Sequence, residues 1–322
     1  MILDCDVCLC CRVTPKQKAQ IVLLVKNNIT DTITLAIGDG ANDVNMITEA
    51  DLGLGIRGVE GQQAARSADF SFTEFKCMKR LLFYYGRECY RRNSTMIIYN
   101  FFKNIMICFP QWWWGISNFW SGQTLYEKFH YQLFNVVYTF FPIIIYAVLD
   151  QELPEKVLLS NPRLYAAGPK KALFNNRRFF TWFLVGAFEA LLITGICLYT
   201  MDVDWTMKDG GTFGFWVFGM AVFVSVAYYS NLKIVTFSNT FSIFSVVFLL
   251  GCTLALFVTW AVVGGMFPGN ELKGTVGATV GSGNFWIIII FVTGMGICDW
   301  IAVKVWDVWG KKKDTPYMKV NF

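Results

Sequence analysis

The pattern of apolar and polar positions divides the chain into two parts. Up to about residue 72, short apolar stretches alternate with polar stretches of helical character. Such a succession of strands and helices predicts a parallel sheet. Beyond residue 95, long apolar stretches follow one another, and each approaches the roughly 20 residues that a membrane-spanning helix needs. The four strands predicted in the first part are 5–13, 33–37, 52–56 and 68–72.

The second part predicts six membrane-spanning helices, preceded by a charged amphipathic stalk helix. Basic residues cluster before the first predicted span, between the second and the third, and after the last. By the positive-inside rule, the α/β part and both termini are then cytoplasmic. The predicted organisation is an α/β part at 1–74, a stalk at 75–94, a membrane domain at 95–305 and a basic tail at 306–322. The predicted spans are 95–116, 129–149, 179–200, 213–232, 241–264 and 285–305.

Composition agrees with a membrane protein that carries a small soluble part. The 322 residues are 55% hydrophobic and only 16% charged, whereas about 25% is typical of soluble domains. The net charge of +5 is modest, and we expect no nucleic-acid partner. The ten cysteines are too few in a chain of this length for a disulfide scaffold. No secretory signal peptide is recognisable at the N-terminus.

Four cysteines near the N-terminus admit two interpretations. Their spacing is compatible with a metal knuckle, but no second cluster follows, and the single histidine, His130, is distant in sequence. The alternation of apolar residues through the same stretch favours a buried strand in a reducing compartment. We therefore predict a strand rather than a metal site for this segment. The cysteines are Cys5, Cys8, Cys10 and Cys11.

The segment 34–46 carries the clearest chemistry in the α/β part. An apolar strand stops at Gly38, and Asp39 follows between two glycines. Asn42 and Asp43 are good residues for starting a helix, which would begin directly afterwards. The carboxyl edge of a parallel sheet is where α/β proteins bind ligands, and a helix N-terminus suits phosphate. A carboxylate there predicts a divalent cation between protein and phosphate. The alternative is a capped turn without a ligand.

A basic segment precedes the next predicted helix. Arg12 and Lys18 flank a Thr-Pro pair that predicts a helix start, with proline at an early position where its missing N–H is tolerated. A lysine can neutralise charge on phosphate oxygens. The alternative is a solvated basic helix start.

Polar residues inside the predicted spans are the candidates for function in the membrane, because burying them there is costly. Two prolines in the first two spans also remove backbone hydrogen bonds. Together they predict a translocation path between these two helices. The alternative for Lys103 is that it reaches the membrane surface or pairs with Glu189. The polar residues and prolines are Lys103, Asn104, Pro110, Gln111, Asn135, Pro142, Glu189 and Asp299.

The segments 12–18 and 38–43 resemble motifs of the P-type ATPases. Four further segments, 101–104, 123–127, 133–139 and 161–165, resemble the type IV branch, the phospholipid flippases. The resemblance implies a partial haloacid-dehalogenase-like phosphorylation domain with a parallel sheet, followed by the six-helix membrane domain. It also implies Mg²⁺ as cofactor, ATP as substrate of the complete enzyme, a phospholipid cargo and the accessory β-subunit glycoprotein of this family.

The resemblance also implies roles for individual residues. Lys18 and Asp39 would be catalytic, and Asp39 and Asp43 would hold the metal. The lipid path would include Lys103, Asn104 and Asn135. The residues implied to contact ATP or phosphate are Arg12, Lys18, Asn42 and Asp43.

The sequence departs from the family in one respect. It contains no Asp-Lys-Thr-Gly-Thr phosphorylation site and no Thr-Gly-Glu loop. We therefore expect the C-terminal third of a flippase, either a truncated gene model or a split product, that is inactive without its N-terminal part. The alternatives are a non-catalytic scaffold that binds the accessory subunit and a fragment of a cation-transporting P-type ATPase. The expected location is a eukaryotic plasma membrane or a Golgi or endosomal membrane.

Overall fold

The fold is known from a computed structural model, which describes residues 5–58, 62–201, 213–266 and 271–309. The chain forms two compact units. The α/β unit consists of Met1–Gly86 with Leu158–Pro169, and the helical unit of Arg87–Val157 with Lys170–Phe322.

The α/β unit contains a small parallel sheet, as the sequence predicts. Its strands β1 (Leu35–Gly38), β2 (Leu52–Ile56) and β3 (Phe70–Phe72) lie in that order. Leu35 is opposite Leu52, and Leu54 is opposite Phe70. Leu54 is fully buried at the centre of the sheet. The elements are α1 (Pro15–Asn28), β1 (Leu35–Gly38), a 3-10 turn (Ala41–Asp43), α2 (Val44–Glu49), β2 (Leu52–Ile56), α3 (Gln63–Ser67) and β3 (Phe70–Phe72).

The start of α1 follows from its sequence. The Thr14 side chain accepts a hydrogen bond from the Gln17 backbone N–H, and the Gln17 side chain accepts one from the Thr14 N–H. This reciprocal arrangement satisfies two backbone donors that a helix start otherwise leaves unpaired. Pro15 occupies the first helical position, where no donor is needed. The helix is thereby placed with Lys18 one turn from its start.

The predicted strand at 5–13 is wrong. None of these residues is in a strand, and Val7 and Leu9 are 78% and 88% exposed. Cys5, Cys8 and Cys10 are exposed as well, so the prediction of a buried cysteine strand fails with it. Alternating apolar residues form a strand only where a neighbouring strand pairs with the backbone and a core covers one face. The described sheet ends at β1, and the segment gains neither.

The stretch predicted as a stalk is helical but irregular. Helix α4 (Cys77–Arg80) continues into a π-helical segment (Leu81–Gly86) and then into α5 (Arg87–Ser117). The chain is therefore helical through the predicted stalk at 75–94 from Cys77 onward. The predicted limits of the domains remain predictions.

The helical unit is built almost entirely from α-helices. Five of its described helices are long and apolar enough to cross a membrane: Lys128–Leu149, Asn176–Thr200, Phe215–Phe237, Ile243–Gly265 and Gly283–Val305. The chain after α5 forms α6 (Lys128–Leu133), a π segment (Phe134–Tyr138), α7 (Phe140–Leu149), α8 (Glu155–Ser160), a 3-10 turn (Pro162–Ala167), α9 (Asn176–Thr200), α10 (Phe215–Phe237), α11 (Ile243–Met266), α12 (Thr275–Gly281) and α13 (Gly283–Trp309). The 3-10 turn Pro162–Ala167 belongs to the α/β unit.

The five apolar helices match the last five predicted spans. The first predicted span, 95–116, lies within the 31-residue helix α5, which is not among the five. Helix α5 includes Lys103 and Asn104 as well as basic residues near its start, and these lower its hydropathy. The count of six spans therefore remains a prediction. Most of the predicted tail at 306–322 lies outside the described residues.

Helix α10 forms the centre of the helical unit. Most of its residues are buried, and the ring of Phe223 lies about 6 Å from the rings of Phe134 and Tyr138 in the preceding π segment. At Gly219 the helix packs directly against the carbonyl oxygen of Leu125, so that a Cβ at this position would overlap the oxygen. The absence of a side chain at Gly219 is thus what allows the close approach.

A buried ionic cluster joins α5 to the end of α7. The Arg91 guanidinium donates to the Asp150 and Glu88 carboxylates, both at 2.8 Å. The second Asp150 oxygen accepts the backbone N–H groups of Asn239 and Thr240 at 2.7 and 3.0 Å. Asp150 thereby fixes the connection between α10 and α11 to the same point. Each buried charge has an opposite charge and further hydrogen bonds, the condition under which such groups are tolerated.

In the α/β unit, Asp51 connects α1 with the start of β2. Lys26 Nζ lies 2.6 Å from one carboxylate oxygen, and the Thr34 backbone N–H and hydroxyl donate to the other at 3.0 and 2.9 Å. The Lys26 ammonium and these two Thr34 hydrogen bonds lower the Asp51 pKa to about 2. Each contact favours the ionised carboxylate, which explains why the Asp51 pKa is lowered.

The substitution Lys26→Met should raise the Asp51 pKa toward the ordinary aspartate value, because it removes the largest contribution to the shift. NMR titration of the side-chain carboxyl measures this, and Lys16→Met on the exposed side of α1 is the control. The stability that Asp51 contributes is complete above the ordinary pKa of about 3.9 and is lost as pH falls through the folded-state value. An unchanged Asp51 titration in Lys26→Met would contradict the assignment.

The substitution Gly219→Ala should destabilise the helical unit by about 1–3 kcal/mol, the usual range for overpacking. The added methyl group would overlap the Leu125 carbonyl. Thermal unfolding of the purified protein in detergent measures the effect. Gly251→Ala in α11 is the matched control, because a Cβ there meets no atom within 4 Å. Equal melting temperatures for the two variants would show that the packing at Gly219 is unimportant.

Candidate functional site

The end of β1 places two carboxylates on one short turn. Asp39 follows the strand directly and is exposed, and Asp43 ends the 3-10 turn that leads into α2. The Asp43 N–H donates to the Gly40 carbonyl at 3.1 Å, which closes the turn. A Cβ at Gly38 would lie 2.8 Å from an Asp43 carboxylate oxygen. Glycine at position 38 therefore lets the Asp43 carboxylate lie against the end of the strand.

Lys18 meets Asp43 at this edge of the sheet. Its Nζ lies 2.7 Å from Asp43 Oδ1, and the two side chains are 30% and 13% exposed. A charge-assisted hydrogen bond of this length is stronger than a neutral one. The helix start at Thr14 and Pro15 places the lysine one turn inside α1, so two residues 25 positions apart in sequence come together. The ammonium group is thereby held beside the turn that carries Asp39.

Arg12 and Asn42 are the other residues predicted to contact ATP or phosphate. Asn42 is exposed within the 3-10 turn. Arg12 is exposed and has a backbone φ of +53°, a left-handed conformation that few non-glycine residues adopt. Within the described part of the chain, no hydrogen bond or ion pair is seen from Arg12 to Asp39 or Asp43. The roles of Arg12 and Asn42 therefore remain predictions.

The turn offers oxygen ligands, as a magnesium site requires. Among the described residues, no group of three or more His, Cys, Asp or Glu side chains could hold a metal by itself. The carboxylates of Asp39 and Asp43 nevertheless fit Mg²⁺, which is commonly bound by one or two carboxylates together with water and substrate phosphate. The exposed position of Asp39 leaves its oxygens accessible to such an ion. The metal assignment remains a prediction.

In the helical unit, Lys103 is buried on α5. Only 5% of the residue is exposed, and its Nζ lies 3.4 Å from the Thr139 hydroxyl, which itself donates to the Phe134 carbonyl. The alternative pairing of Lys103 with Glu189 is not seen, because Glu189 pairs with Lys233 instead. A buried ammonium group with one long hydrogen bond can bind an anionic ligand.

The position of Thr139 follows from an irregular helical segment. Its N–H donates to the Phe134 carbonyl, five residues earlier, as in a π-helix. Pro142 has no N–H, so it cannot donate to the Tyr138 carbonyl. That carbonyl accepts instead from the Asn231 amide at 2.9 Å. The polar backbone exposed by the proline is thus satisfied by a side chain from α10, as an apolar environment requires.

The two predicted lipid-path asparagines contact each other. The Asn135 amide donates to the Asn104 carbonyl oxygen at 3.1 Å, in an exposed position. They join α5 to the π segment, next in sequence to the Lys103 and Phe134 positions. Sequence reasoning missed Thr139, Asn231 and Lys233. The only signal for Lys233 was its charge, one residue beyond the predicted span at 213–232.

The chain is similar in sequence to phospholipid-transporting ATPases. The family model of the phospholipid-translocating P-type ATPase C-terminal region matches residues 65–312. A phospholipid-transporting ATPase of Schizosaccharomyces pombe is 39% identical over 80% of this chain and 20% of its own length. Phospholipid-transporting ATPase 6 of Arabidopsis thaliana is 37% identical over 91% of this chain and 24% of its own length.

Phospholipid-transporting ATPase IC of Homo sapiens is 36% identical over 97% of this chain and 25% of its own length. The chain thus spans about a fifth to a quarter of the length of these relatives. The matched region covers more than half of the chain and contains the five apolar helices up to Val305. The chain belongs to the family of phospholipid-translocating P-type ATPases, type IV, and corresponds to their C-terminal region.

Proposed function

We propose that this chain supplies the C-terminal part of an ATP-driven phospholipid translocase. In this proposal, turnover of an aspartyl phosphate that depends on Mg²⁺ is coupled to inward movement of lipid. The observation that carries it is the ion pair of Lys18 and Asp43 beside the exposed Asp39 at the end of β1. The names of the relatives support phospholipid as the cargo.

The α/β unit would provide part of a haloacid-dehalogenase-like phosphorylation domain. Lys18 would place a positive charge near the phosphoryl oxygens, where charge develops during transfer. Its bond to Asp43 holds the ammonium in position at 2.7 Å from the carboxylate. Asp39 and Asp43 would hold Mg²⁺, which when bound neutralises phosphate charge and orders the oxygens around the phosphorus. Arg12 and Asn42 would contact the nucleotide or the phosphate.

The helical unit would provide the lipid path along α5 and α7, with α5 as a sixth span. Buried Lys103 would meet the headgroup phosphate, because its amine has a single long hydrogen bond to Thr139. The Asn104 and Asn135 amides offer neutral donors and acceptors for the remainder of a polar headgroup. An ammonium and two amides suit an anionic or zwitterionic group better than a bare cation, which prefers oxygen ligands.

The chain would act together with two partners. One is the N-terminal part of the ATPase, with the aspartate that receives the phosphate, so the isolated chain would be inactive. The other is the accessory β-subunit glycoprotein of this family. The complex would reside in a eukaryotic plasma membrane or a Golgi or endosomal membrane, with both ends of this chain in the cytoplasm. A chain that captures the β-subunit but gives no ATP hydrolysis with the N-terminal part would favour the scaffold alternative.

The substitution Asp39→Asn should abolish ATP hydrolysis that depends on lipid. The measurement uses this chain co-expressed with the N-terminal part of a relative and purified as a complex, with and without Mg²⁺. Removing one carboxylate oxygen from the metal site should reduce the rate at least a hundredfold, as is usual for groups that stabilise developing charge. Glu49→Gln, at the exposed end of α2, is the control. Full activity of Asp39→Asn would overturn the proposal.

The substitution Lys103→Met should weaken lipid stimulation in the same complex. Loss of a charged hydrogen bond to the headgroup should raise the half-maximal lipid concentration by about tenfold, equivalent to about 1.4 kcal/mol. Lys304→Met, near the end of α13, is the control. An unchanged lipid response of Lys103→Met, with normal ATP hydrolysis, would exclude this residue from the lipid path and leave the role of Asp39 untouched.

A further inference from the structure

Four polar side chains from three helices meet inside the helical unit. Lys233 Nζ on α10 lies 2.5 Å from Glu189 Oε1 on α9 and 2.7 Å from Asp299 Oδ2 on α13. The Tyr229 hydroxyl, one turn before Lys233 on α10, donates to the same Asp299 oxygen. Lys233 Nζ is also 3.5 Å from the Tyr229 hydroxyl oxygen. All three helices are long and apolar enough to cross a membrane.

The surroundings of this cluster are apolar and aromatic. Glu189 and Lys233 are only 5% and 4% exposed. The Lys233 ammonium lies 5.1 Å from the ring centre of Phe102 on α5 and 5.8 Å from that of Trp182 on α9. Aromatic ring faces attract a cation but supply neither a hydrogen-bond donor nor a positive charge to a second carboxylate. Charges in such a low-dielectric environment interact strongly and are poorly screened.

The charges in the cluster do not balance. Two carboxylates, Glu189 and Asp299, face a single ammonium, Lys233. If all three were ionised, the cluster would carry one net negative charge. Of the other packed elements, α5 contributes the Phe102 ring, and its neighbouring Lys103 bonds to Thr139 instead. Neutral Lys233 would make the imbalance worse, so one added proton on a carboxylate is the way to reach net neutrality.

The hydrogen bonds identify which carboxylate takes the proton. Asp299 accepts from both Lys233 and Tyr229, and its side chain is 26% exposed. Glu189 accepts from Lys233 through Oε1, which directs the carboxylate into the cluster. Its second oxygen, Oε2, is buried and has no hydrogen-bond partner within the described part of the chain. An unpaired buried oxygen is far less costly on a neutral carboxylic acid than on a carboxylate.

The ionic cluster at the start of α5 shows the contrast. There Arg87, Arg91 and Arg92 face three carboxylates, so the charges balance three to three. Its carboxylates are those of Glu88, Asp150 and Glu152. Among the described residues, the cluster at the start of α5 is thus charge-compensated, whereas the cluster around Lys233 has an acid in excess.

We propose that the Glu189–Lys233–Asp299 cluster is a proton-binding site, with one proton held on Glu189 Oε2 at neutral pH. The proton comes from water, an O–H bond forms at Oε2, and no electron is transferred. The site does not depend on the proposed translocase activity, and it joins α9, α10 and α13 as a neutral unit.

Infrared difference spectroscopy of the purified full chain in lipid nanodiscs tests the site. Exchange from H₂O to D₂O at neutral pH should shift a carbonyl band of a protonated carboxylic acid. That band should be absent from Glu189→Gln. It should persist in Glu88→Gln, the control for a buried carboxylate in a balanced cluster. A wild-type spectrum without the band, or a band unchanged in Glu189→Gln, would overturn the proposal.

A second variant tests the charge count while keeping Glu189. In Asp299→Asn, one carboxylate faces one ammonium, so Glu189 should release its proton and the band should disappear although the residue is present. Folding of each variant is checked by its helical circular dichroism and melting temperature. If Glu189→Gln does not fold, the wild-type and Asp299→Asn spectra decide the matter. Retention of the full band in Asp299→Asn would refute charge balance as its cause.

Discussion

The helical unit depends on one constraint: every polar group buried among its apolar helices needs a partner. Pro142 leaves the Tyr138 carbonyl without its helical donor, and Asn231 from α10 replaces it. Arg91 and Asp150 satisfy each other where α5 meets α7. In an environment without water, unmade hydrogen bonds are costly, so these pairs determine which helices lie side by side. Buried polar groups that lack a full set of partners are therefore informative.

Two of the incompletely satisfied buried groups, Lys103 and Glu189, are candidates for binding something else. Lys103 has one long bond to Thr139, which leaves donors for an anionic ligand. Glu189 has an oxygen without a partner, which a proton would neutralise. In the α/β unit the arrangement is reversed, because Lys18 and Asp43 satisfy each other and the neighbouring Asp39 is left exposed. Lys103, Glu189 and Asp39 therefore retain capacity for a further ligand or a proton.

Much of the fold was predictable because its signals are local. Apolar stretches of about 20 residues gave five of the described helices within a few residues, and strand ends at Gly38 and Ile56 were close to those predicted. The segment 5–13 was predicted wrongly, because apolar alternation cannot show whether a neighbouring strand exists to pair with it. The π segments at 81–86 and 134–138 were not anticipated, since their altered hydrogen bonding has no clear sequence signal.

The sequence by itself determined the family, the parallel arrangement and the chemical types at the candidate sites, because motifs such as 38–43 and apolar stretches are contiguous. Only the tertiary structure decided which side chains form ion pairs with one another. In the structure Lys18 forms an ion pair with Asp43, and Glu189 forms one with Lys233 rather than with Lys103. Such pairs join residues 25 and 44 positions apart. Their geometry depends on how whole helices pack, a property that no local pattern contains.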